Sequence, residues 1–190
     1  MTSTFTIPTL ETDRLILRAP QLSDAEHFIA FMTSDRAQYV GGTMMGPQGR
    51  RNAGRGFGNL AGQWVLRGYG LFIGALKSDP KTPLGGFGVF HPVTIQEPEF
   101  GWTVYDAAFE SKGYVTEAMR KIIPWAWDVI GTDTAQSHID DGNDASVQVA
   151  KALGATFDAD ETERANAPDG EFGDAPQIVN IYRHHKGALQ

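Results

Sequence analysis

The spacing of apolar residues predicts a chain that alternates between short strands and amphipathic helices. In residues 12–18, Leu15 and Leu17 alternate with arginines in an imperfect two-residue period, which is typical of a first strand. The sequence Ser-Asp-Ala-Glu at positions 23–26 has the form of a capping box, and apolar residues follow it on one side of a helical wheel. A first helix is therefore predicted from about Asp24 to Thr33.

The following segment, from Gly41 to Gly70, is rich in glycine and predicts only a frayed or mobile element. Gly54, Gly56 and Gly58 would each cost a helix about 1 kcal/mol. The run from 54 to 58 also resembles a dinucleotide-binding loop or an RGG segment of nucleic-acid-binding proteins. It lacks the strand and helix that a dinucleotide loop requires, so a flexible loop on the substrate side is favoured.

The second half of the chain predicts two helices and further strands. Apolar residues recur at intervals of three and four between 116 and 130, which predicts a helix that Pro124 bends. Another helix is predicted from a cap at Asn143 or Asp144 through Leu153. The predicted strands are Gly70–Leu76 and Leu84–Phe90, which form a hairpin, then Phe100–Val104, Thr134–Ile139 and Gln177–Arg183.

The acidic tract from Asp158 to Asp174 shows no regular period and is predicted to be a loop or a flexible excursion. A solvated surface is its simplest use, and recruitment of a cationic substrate is the alternative. Strands that precede, separate and follow the helices indicate a mixed α+β fold, with residues 1–190 as a single domain.

Composition narrows the possible functions. Sixteen basic and twenty-three acidic residues give a net charge of -7, which lacks the basic footprint of nucleic-acid binding. There is no cysteine, so disulfides, thiolate nucleophiles and cysteine-bound zinc are excluded. The N-terminus resembles no signal peptide and no segment is apolar enough to cross a membrane, so a soluble, cytoplasmic protein is expected.

The residues Lys112-Gly113-Tyr114-Val115-Thr116 carry the clearest chemical signal. They form a glycine-containing turn that opens a helix, where unpaired backbone N–H groups attract phosphate oxygens. A plain connection between two elements is the alternative. The strand Phe100–Val104 before the turn and the polar segment Asp140–Ser146 after it favour the phosphate site, because an extended ligand could lie between them.

Four segments in this order resemble the GNAT N-acetyltransferases, in the branch that includes the ribosomal-protein N-terminal acetyltransferases. They are LETDRLILRAPQLSDAEHF, GYVTEAMR, NDASVQVAKALGA and IYRHH. The resemblance implies a GNAT acyl-CoA acyltransferase fold, with a splayed mixed sheet of six or seven strands and helices on both faces. It also implies acetyl-CoA as co-substrate, an amine as acceptor and a possible homodimer.

The resemblance assigns roles to particular residues. Trp102, Thr103 and Val104 match the strand along the pantetheine arm, and residues 112–116 match the pyrophosphate loop. Asn143 matches an asparagine near the pantetheine and the acyl group, and Ser146 matches a residue that could protonate the leaving thiolate.

Two residues depart from the family pattern. Glu110 replaces Arg or Gln, and Val115 replaces a small residue. They motivate an alternative function, a GNAT-fold CoA-binding or regulatory protein with little transferase activity. A tyrosine that many relatives place one turn beyond Ser146 is also absent, so the acid role falls to Ser146 or to water.

Transfer of an acetyl group to an amine needs a base and an oxyanion donor. Glu99, at the head of the cleft strand, is the predicted base, with Glu97 and His91 behind it; an ordinary surface carboxylate is the alternative. The backbone N–H of Thr103 or Val104 is the predicted oxyanion donor.

The histidines and the tryptophans are two further groups of residues for which no bound ligand is predicted. His138, His184 and His185 lack a carboxylate partner at ligand spacing, so no metal site is predicted. Trp64, Trp125 and Trp127 are interpreted as core residues, with a ligand cage as the alternative.

Overall fold

One mixed sheet with helices on both faces forms the framework of the protein, in a computed structural model that describes residues 6–40, 45–93 and 95–189. The strands are β1 (Leu10–Glu11), β2 (Leu15–Arg18), β3 (Leu71–Leu76), β4 (Asp79–Phe90), β5 (Glu99–Val104), β6 (Thr134–Asp140), β7 (Thr156–Phe157) and β8 (Val179–His185). The helices are α1 (Ala25–Met32), α2 (Gly46–Arg67), α3 (Tyr114–Ile130), α4 (Asp144–Ala152) and α5 (Ala159–Ala165).

The strands lie in the order β1-β2-β3-β4-β5-β6-β8-β7. All neighbours are antiparallel except β5 and β6, which run parallel. The predicted mixed fold is confirmed. The described residues give eight strands rather than six or seven, because β1 and β7 are two-residue strands that the sequence pattern cannot reveal.

The interpretation of Gly41–Gly70 as a frayed element or flexible loop is wrong for its described part, since α2 is a continuous helix of 22 residues. Pro47 lies in its first turn, where its missing N–H costs nothing. Added methyl groups on Gly54 and Gly56 would contact α1 at 3.8 and 3.7 Å, so these glycines lie on the packed side. Packing between the helices therefore overrides the low helix propensity. Residues 41–44 lie outside the described residues.

The predicted capping box at the start of the first helix is wrong in register. Asp24, not Glu26, is the buried acceptor: its carboxylate accepts the Gln21 N–H at 2.8 Å. Arg18 donates to both oxygens of Asp24 at 2.8 Å, and the Asp24 side chain is fully buried. This ion pair fastens the start of α1 to β2.

The acidic tract is also more ordered than predicted. It contains α5, whose N-cap Asp158 accepts the Glu161 N–H at 3.1 Å. After α5, the Asn166 side chain exchanges hydrogen bonds with the backbone of Val179 at 2.8 and 2.9 Å. Residues 159–165 are therefore a helix held against β8, and the prediction of a loop there was wrong.

The core lies on both faces of the sheet. The larger cluster joins α3 to the central strands, and its aromatic contacts place Trp127 5.0 Å from Phe100 and Trp64 5.8 Å from Trp125, measured between ring centres. A smaller cluster joins α1 and α2 to the opposite face. The tryptophans are thus core residues. Among the described helices, none has the length and apolar character needed to cross a membrane.

Candidate active site

The sheet opens between β5 and β6. These strands share one residue pair, Glu99 with Gln136, and the Gln136 N–H donates to the Pro98 carbonyl at 3.0 Å. One residue further, the Ser137 hydroxyl donates to the Phe100 carbonyl at 2.6 Å. Among the described pairs, none joins β5 to β6 beyond this point. A cleft therefore begins at Phe100.

The cleft side of β5 carries free backbone groups. Tyr105 N–H donates to the Leu84 carbonyl on β4 at 2.9 Å. Because antiparallel pairs alternate in direction, Thr103 also turns its N–H towards β4. The N–H groups of Trp102 and Val104 consequently point into the cleft. Of the two amides that the sequence suggested as oxyanion donors, that of Val104 points into the cleft and that of Thr103 points to β4.

The predicted phosphate turn opens α3 beside this cleft. Gly113 is the N-cap at φ 75°, and Ser111 also has a positive φ of 56°. The first helical hydrogen bond runs from Glu117 N–H to the Gly113 carbonyl at 3.0 Å. In the described part of the chain, the N–H groups of residues 113–116 donate to no protein acceptor. Four amides at a helix N-terminus are thus available to an anion.

Arg14 holds this turn in place, a role that the sequence did not suggest. Its guanidinium donates to the Lys112 carbonyl at 3.1 Å and to the Glu117 carboxylate at 2.6 Å. It also lies 4.4 Å from the centre of the Tyr114 ring. The Glu117 carboxylate accepts a further bond from the Thr12 hydroxyl at 2.6 Å. The turn is therefore shaped by the protein before any ligand arrives.

The two departures from the family pattern have structural partners. The Glu110 carboxylate forms an ion pair with Arg36. Arg36 also donates to the Val104 carbonyl at 3.2 Å, so it links the turn to the end of β5. Val115 packs against the main core. Neither residue leaves an uncompensated charge or an unpacked side chain beside the turn.

Asn143 and Ser146 meet β5 at the start of α4. The Asn143 side chain caps the helix by accepting the Ser146 N–H at 3.3 Å. The Ser146 hydroxyl accepts the indole N–H of Trp102 at 3.2 Å. Because its oxygen is held as an acceptor, the hydroxyl proton of Ser146 is free to be donated elsewhere.

Glu99 lies where the strands part, on the opposite face of the sheet from Phe100. Its side chain retains 16% of its exposure, and burial raises its carboxyl pKa to about 8. The His138 backbone N–H opposes this pKa shift, and the charge of Glu171 adds to it. A carboxyl group with a raised pKa in a cleft is typical of general acids and bases.

His138 faces this carboxyl group. Its Nδ1 lies 3.6 Å from Glu99 Oε2, and its Nε2 lies 2.9 Å from Gln136 Oε1. Burial lowers the pKa of His138 to about 4, so the imidazole is neutral at pH 7 and the contact with Glu99 is not an ion pair. The Phe172 ring covers the imidazole edge-on, 5.0 Å away between ring centres.

The other two residues that the sequence placed behind Glu99 have different partners. The His91 ring bonds to the Tyr69 hydroxyl at 2.7 Å, and its backbone N–H donates to Gln63 at 2.9 Å. The Glu97 carboxylate accepts from Arg183 at 2.8 Å. Both side chains are thus tied to neighbouring elements, and Glu99 alone of the three borders the opening of the sheet.

The histidines do not converge on a metal site. His184 lies on the face of the sheet opposite His138, where its Nε2 is 2.9 Å from the Ser137 hydroxyl. Burial lowers the pKa of His184 to about 4. Within residues 6–40, 45–93 and 95–189, no three potential ligands of the His, Cys, Asp or Glu type come together.

Sequence reasoning missed Arg14, Arg36 and Ser137, which all shape the site. Arg14 and Arg36 are separated from the turn by 98 and 74 residues in sequence, so no local pattern connects them with it. Ser137 is one of several polar residues in a short strand. Its partner could have been found only from the register of β6 against β5.

Comparison with known proteins gives one consistent result. The sequence profile of the acetyltransferase (GNAT) domain matches residues 14–156. A crystal structure of an acetyltransferase from Agrobacterium tumefaciens is 28% identical, covers 98% of this chain and 99% of its own, and has a TM-score of 0.78. No curated protein matches the chain.

Two other solved structures share the fold at lower identity. The ribosomal-protein-S5-alanine acetyltransferase of Vibrio fischeri is 14% identical, covers 97% of this chain and all of its own length (100%), and has a TM-score of 0.68. RimL, a ribosomal L7/L12 alpha-N-protein acetyltransferase solved with coenzyme A, is 16% identical, covers 95% and 99% of the two chains, and has a TM-score of 0.68.

The profile covers about three quarters of the chain and contains every strand and helix that borders the cleft from β2 to α4. The resemblance seen in the four sequence motifs is thereby confirmed. On this profile, and on a sheet that parts next to a helix with unpaired amides, the chain belongs to the GNAT acetyltransferase family.

Proposed function

We propose that the protein is an N-acetyltransferase that moves an acetyl group directly from acetyl-CoA to a primary amine. The observation that carries this proposal is the cleft itself. The unpaired amides of residues 113–116 lie beside the free edge of β5, so one extended molecule can bind its diphosphate at the helix and its pantetheine along the strand. A cytoplasmic location is part of the proposal.

The residues divide the chemistry between the two faces of the sheet. Glu99 takes the proton from the ammonium group, and the neutral amine then attacks the thioester carbonyl. A C–N bond forms, and the carbonyl oxygen becomes an oxyanion that the Val104 N–H stabilises. When the intermediate collapses, the C–S bond breaks and the thiolate accepts a proton from Ser146. The nitrogen loses its remaining extra proton, and this proton restores the Ser146 hydroxyl. The products are the acetylated amine and free CoA.

Ordering of both reactants in one cleft supplies a large part of the rate. The Ser146 hydroxyl accepts the indole N–H of Trp102 on one face of β5, and we assign this face to acetyl-CoA. The Glu99 carboxyl lies beside His138 on the other face, which we assign to the acceptor. This division lets the amine and the thioester meet at the gap between the strands.

The acceptor that we propose to test first is the N-terminus of a protein or peptide. Two of the proteins with the same fold act on ribosomal proteins, by their names. Amino acids and other small amines follow. The alternative is a GNAT-fold CoA-binding or regulatory protein with little transferase activity, which Glu110 and Val115 motivate. The ion pair of Glu110 with Arg36 and the packing of Val115 give both residues a structural role, which favours the transferase.

Binding of CoA can be tested by thermal unfolding. At a concentration a hundred times its Kd, CoA should add about 2.7 kcal/mol of stability. Gly113→Ala and Gly131→Ala form a matched pair, because both glycines have positive φ, at opposite ends of α3. Each should lose about 1 kcal/mol of stability from backbone strain. Only Gly113→Ala should reduce the stabilisation by CoA.

Transfer itself can be followed as free thiol released from acetyl-CoA with peptides, amino acids and small amines as acceptors. The proposal predicts turnover with at least one acceptor, and loss of turnover in Glu99→Gln. Stabilisation by CoA without release of thiol for any acceptor would contradict it and favour the binding protein.

A further inference from the structure

Gly101 on β5 has no structural reason to be a glycine. A methyl group there would lie 3.8 Å from the nearest side-chain atom, Phe90 Cβ, which is an ordinary contact distance. Its φ is not positive. Glycine in the interior of a strand weakens that strand, and often marks a place where a ligand comes close.

The neighbouring glycines on β4 are different, because each has a visible cause. A methyl group on Gly85 would lie 2.0 Å from the Thr103 carbonyl oxygen, and one on Gly88 would lie 2.5 Å from the Gly70 carbonyl oxygen. At Gly86 the Tyr105 hydroxyl would be 3.1 Å away. Among these four glycines, Gly101 alone has room for a methyl group at ordinary contact distance from the described residues.

The room for this methyl group lies beside Glu99, the proposed base. A methyl group on Gly101 would lie 4.0 Å from Glu99 Oε1 and 4.0 Å from Leu71 Cδ2. Gly101 pairs with Gly88, and Glu99 pairs with Phe90, so these residues share one face of the sheet. Gly101, Phe90 and Leu71 are all partly exposed on that face. These atoms leave room for about one methyl group, bordered by the carbon atoms of Phe90 and Leu71 and by the Glu99 carboxyl group; we call this space the slot.

From this geometry we infer that Gly101 determines acceptor specificity: the slot beside Glu99 takes a small apolar group on the carbon next to the reacting amine. The inference rests on the proposed acetyl transfer and names the acceptor class, a primary amine with a short alkyl substituent such as an alanine N-terminus. The carboxyl group binds the ammonium nitrogen, and the carbon walls of the slot exclude water from the substituent.

The test compares two peptides that differ only in their first residue, glycine or alanine. The unmodified protein should acetylate the alanine peptide with a kcat/KM about fourfold higher, the gain from burying one methyl group. In Gly101→Ala the added methyl group fills the slot, so the ratio should fall to one or below. The control Gly58→Ala, on the exposed side of α2 with no neighbour within 4 Å, should keep the fourfold ratio.

A second variant tests the opposite change. Leu71→Ala removes the Cδ2 atom from the wall, so a peptide that begins with leucine should gain at least threefold relative to the alanine peptide. Thermal stabilisation by CoA should be the same in Gly101→Ala, Leu71→Ala and the unmodified protein, because neither residue lines the α3 side of the cleft.

These experiments distinguish a failure of the role of Gly101 from a failure of the proposed acetyl transfer. An unchanged alanine-to-glycine ratio in Gly101→Ala, in a variant that still binds CoA and turns over, would overturn the role of Gly101 and leave the acetyl transfer standing. Absence of any turnover or CoA stabilisation in the unmodified protein would overturn the proposed function and this inference with it.

Discussion

Replacement of Glu99 by glutamine should make the folded protein more stable at pH 8 and leave it unchanged near pH 4.5. In the unfolded chain a glutamate titrates with a pKa of 4.5, whereas in the folded protein the pKa of Glu99 is about 8. Between these pH values the folded state binds one more proton than the unfolded state. The free energy of unfolding therefore falls as the pH rises through this window.

The size of the effect follows from the pKa shift. One proton of difference lowers the free energy of unfolding by about 1.4 kcal/mol per pH unit, which gives about 5 kcal/mol over the whole window as an upper bound. The Glu99 side chain keeps 16% of its exposure, so water reduces the value. Glutamine has no charge to bury, so Glu99→Gln should gain at least about 2 kcal/mol over the unmodified protein between pH 5 and pH 8.

Urea unfolding followed by circular dichroism at pH 5, 6, 7 and 8 measures this difference directly. Glu26→Gln is the matched control, because the Glu26 side chain is 68% exposed and its ion pair with Arg50 lies on the surface. The free energy of unfolding of Glu26→Gln should change with pH in the same way as that of the unmodified protein. If the free energy of unfolding of Glu99→Gln showed the same pH dependence as that of the unmodified protein, the pKa of Glu99 would be normal. Its role as a base with a raised pKa would then be refuted.

Two other results are expected. The kcat/KM for transfer should rise about tenfold per pH unit up to about pH 8 and then level off, because the Glu99 carboxylate forms over this range. Glu99→Gln should lower kcat/KM about 10²–10⁴-fold and abolish the rise with pH. A rise that persists in the variant would show that another group titrates. Asp24→Asn should cost about 3–5 kcal/mol in urea unfolding, because it leaves the guanidinium of Arg18 without its buried partner. Glu11→Gln, which breaks an exposed pair with Lys77, should cost less than about 1 kcal/mol, and equal losses in the two variants would contradict the importance of burial.

The sequence predicted those parts of the fold that local patterns determine. The three- and four-residue spacing of apolar residues located α3, and the hairpin of β3 and β4 followed from apolar runs on either side of a turn. The turn at Gly113 was predicted because a glycine directly before a helical pattern can be recognised from neighbouring residues alone. These features depend on residues that are neighbours in the chain.

Helix α2 shows where local reasoning fails. Its glycines argue against a helix, but Ala53, Phe57 and Trp64 are buried, and the contacts of this face with α1 and β3 were not visible in the sequence. The same holds for the capping acid of α1. Asp24 was passed over for Glu26 because the partner that selects it, Arg18, belongs to a strand.

The sequence named candidate site residues but not the residues that support them. The residues that match the family motifs lie around one cleft, yet the arginines that fix the turn and the end of β5 come from distant segments. The raised pKa of Glu99 could not be predicted either, since it depends on burial and on Glu171 in a tract that the sequence left without structure. Contacts between distant segments of the chain therefore determine the supporting arginines and the pKa of Glu99, which the motifs do not reveal.

A crystal structure with CoA bound tests directly whether the turn at Gly113 binds the diphosphate. The diphosphate oxygens should lie within hydrogen-bond distance of the backbone amides of residues 113–116, and the pantetheine should follow the free edge of β5 at Trp102 and Val104. A diphosphate bound elsewhere, with those amides left empty, would contradict this prediction.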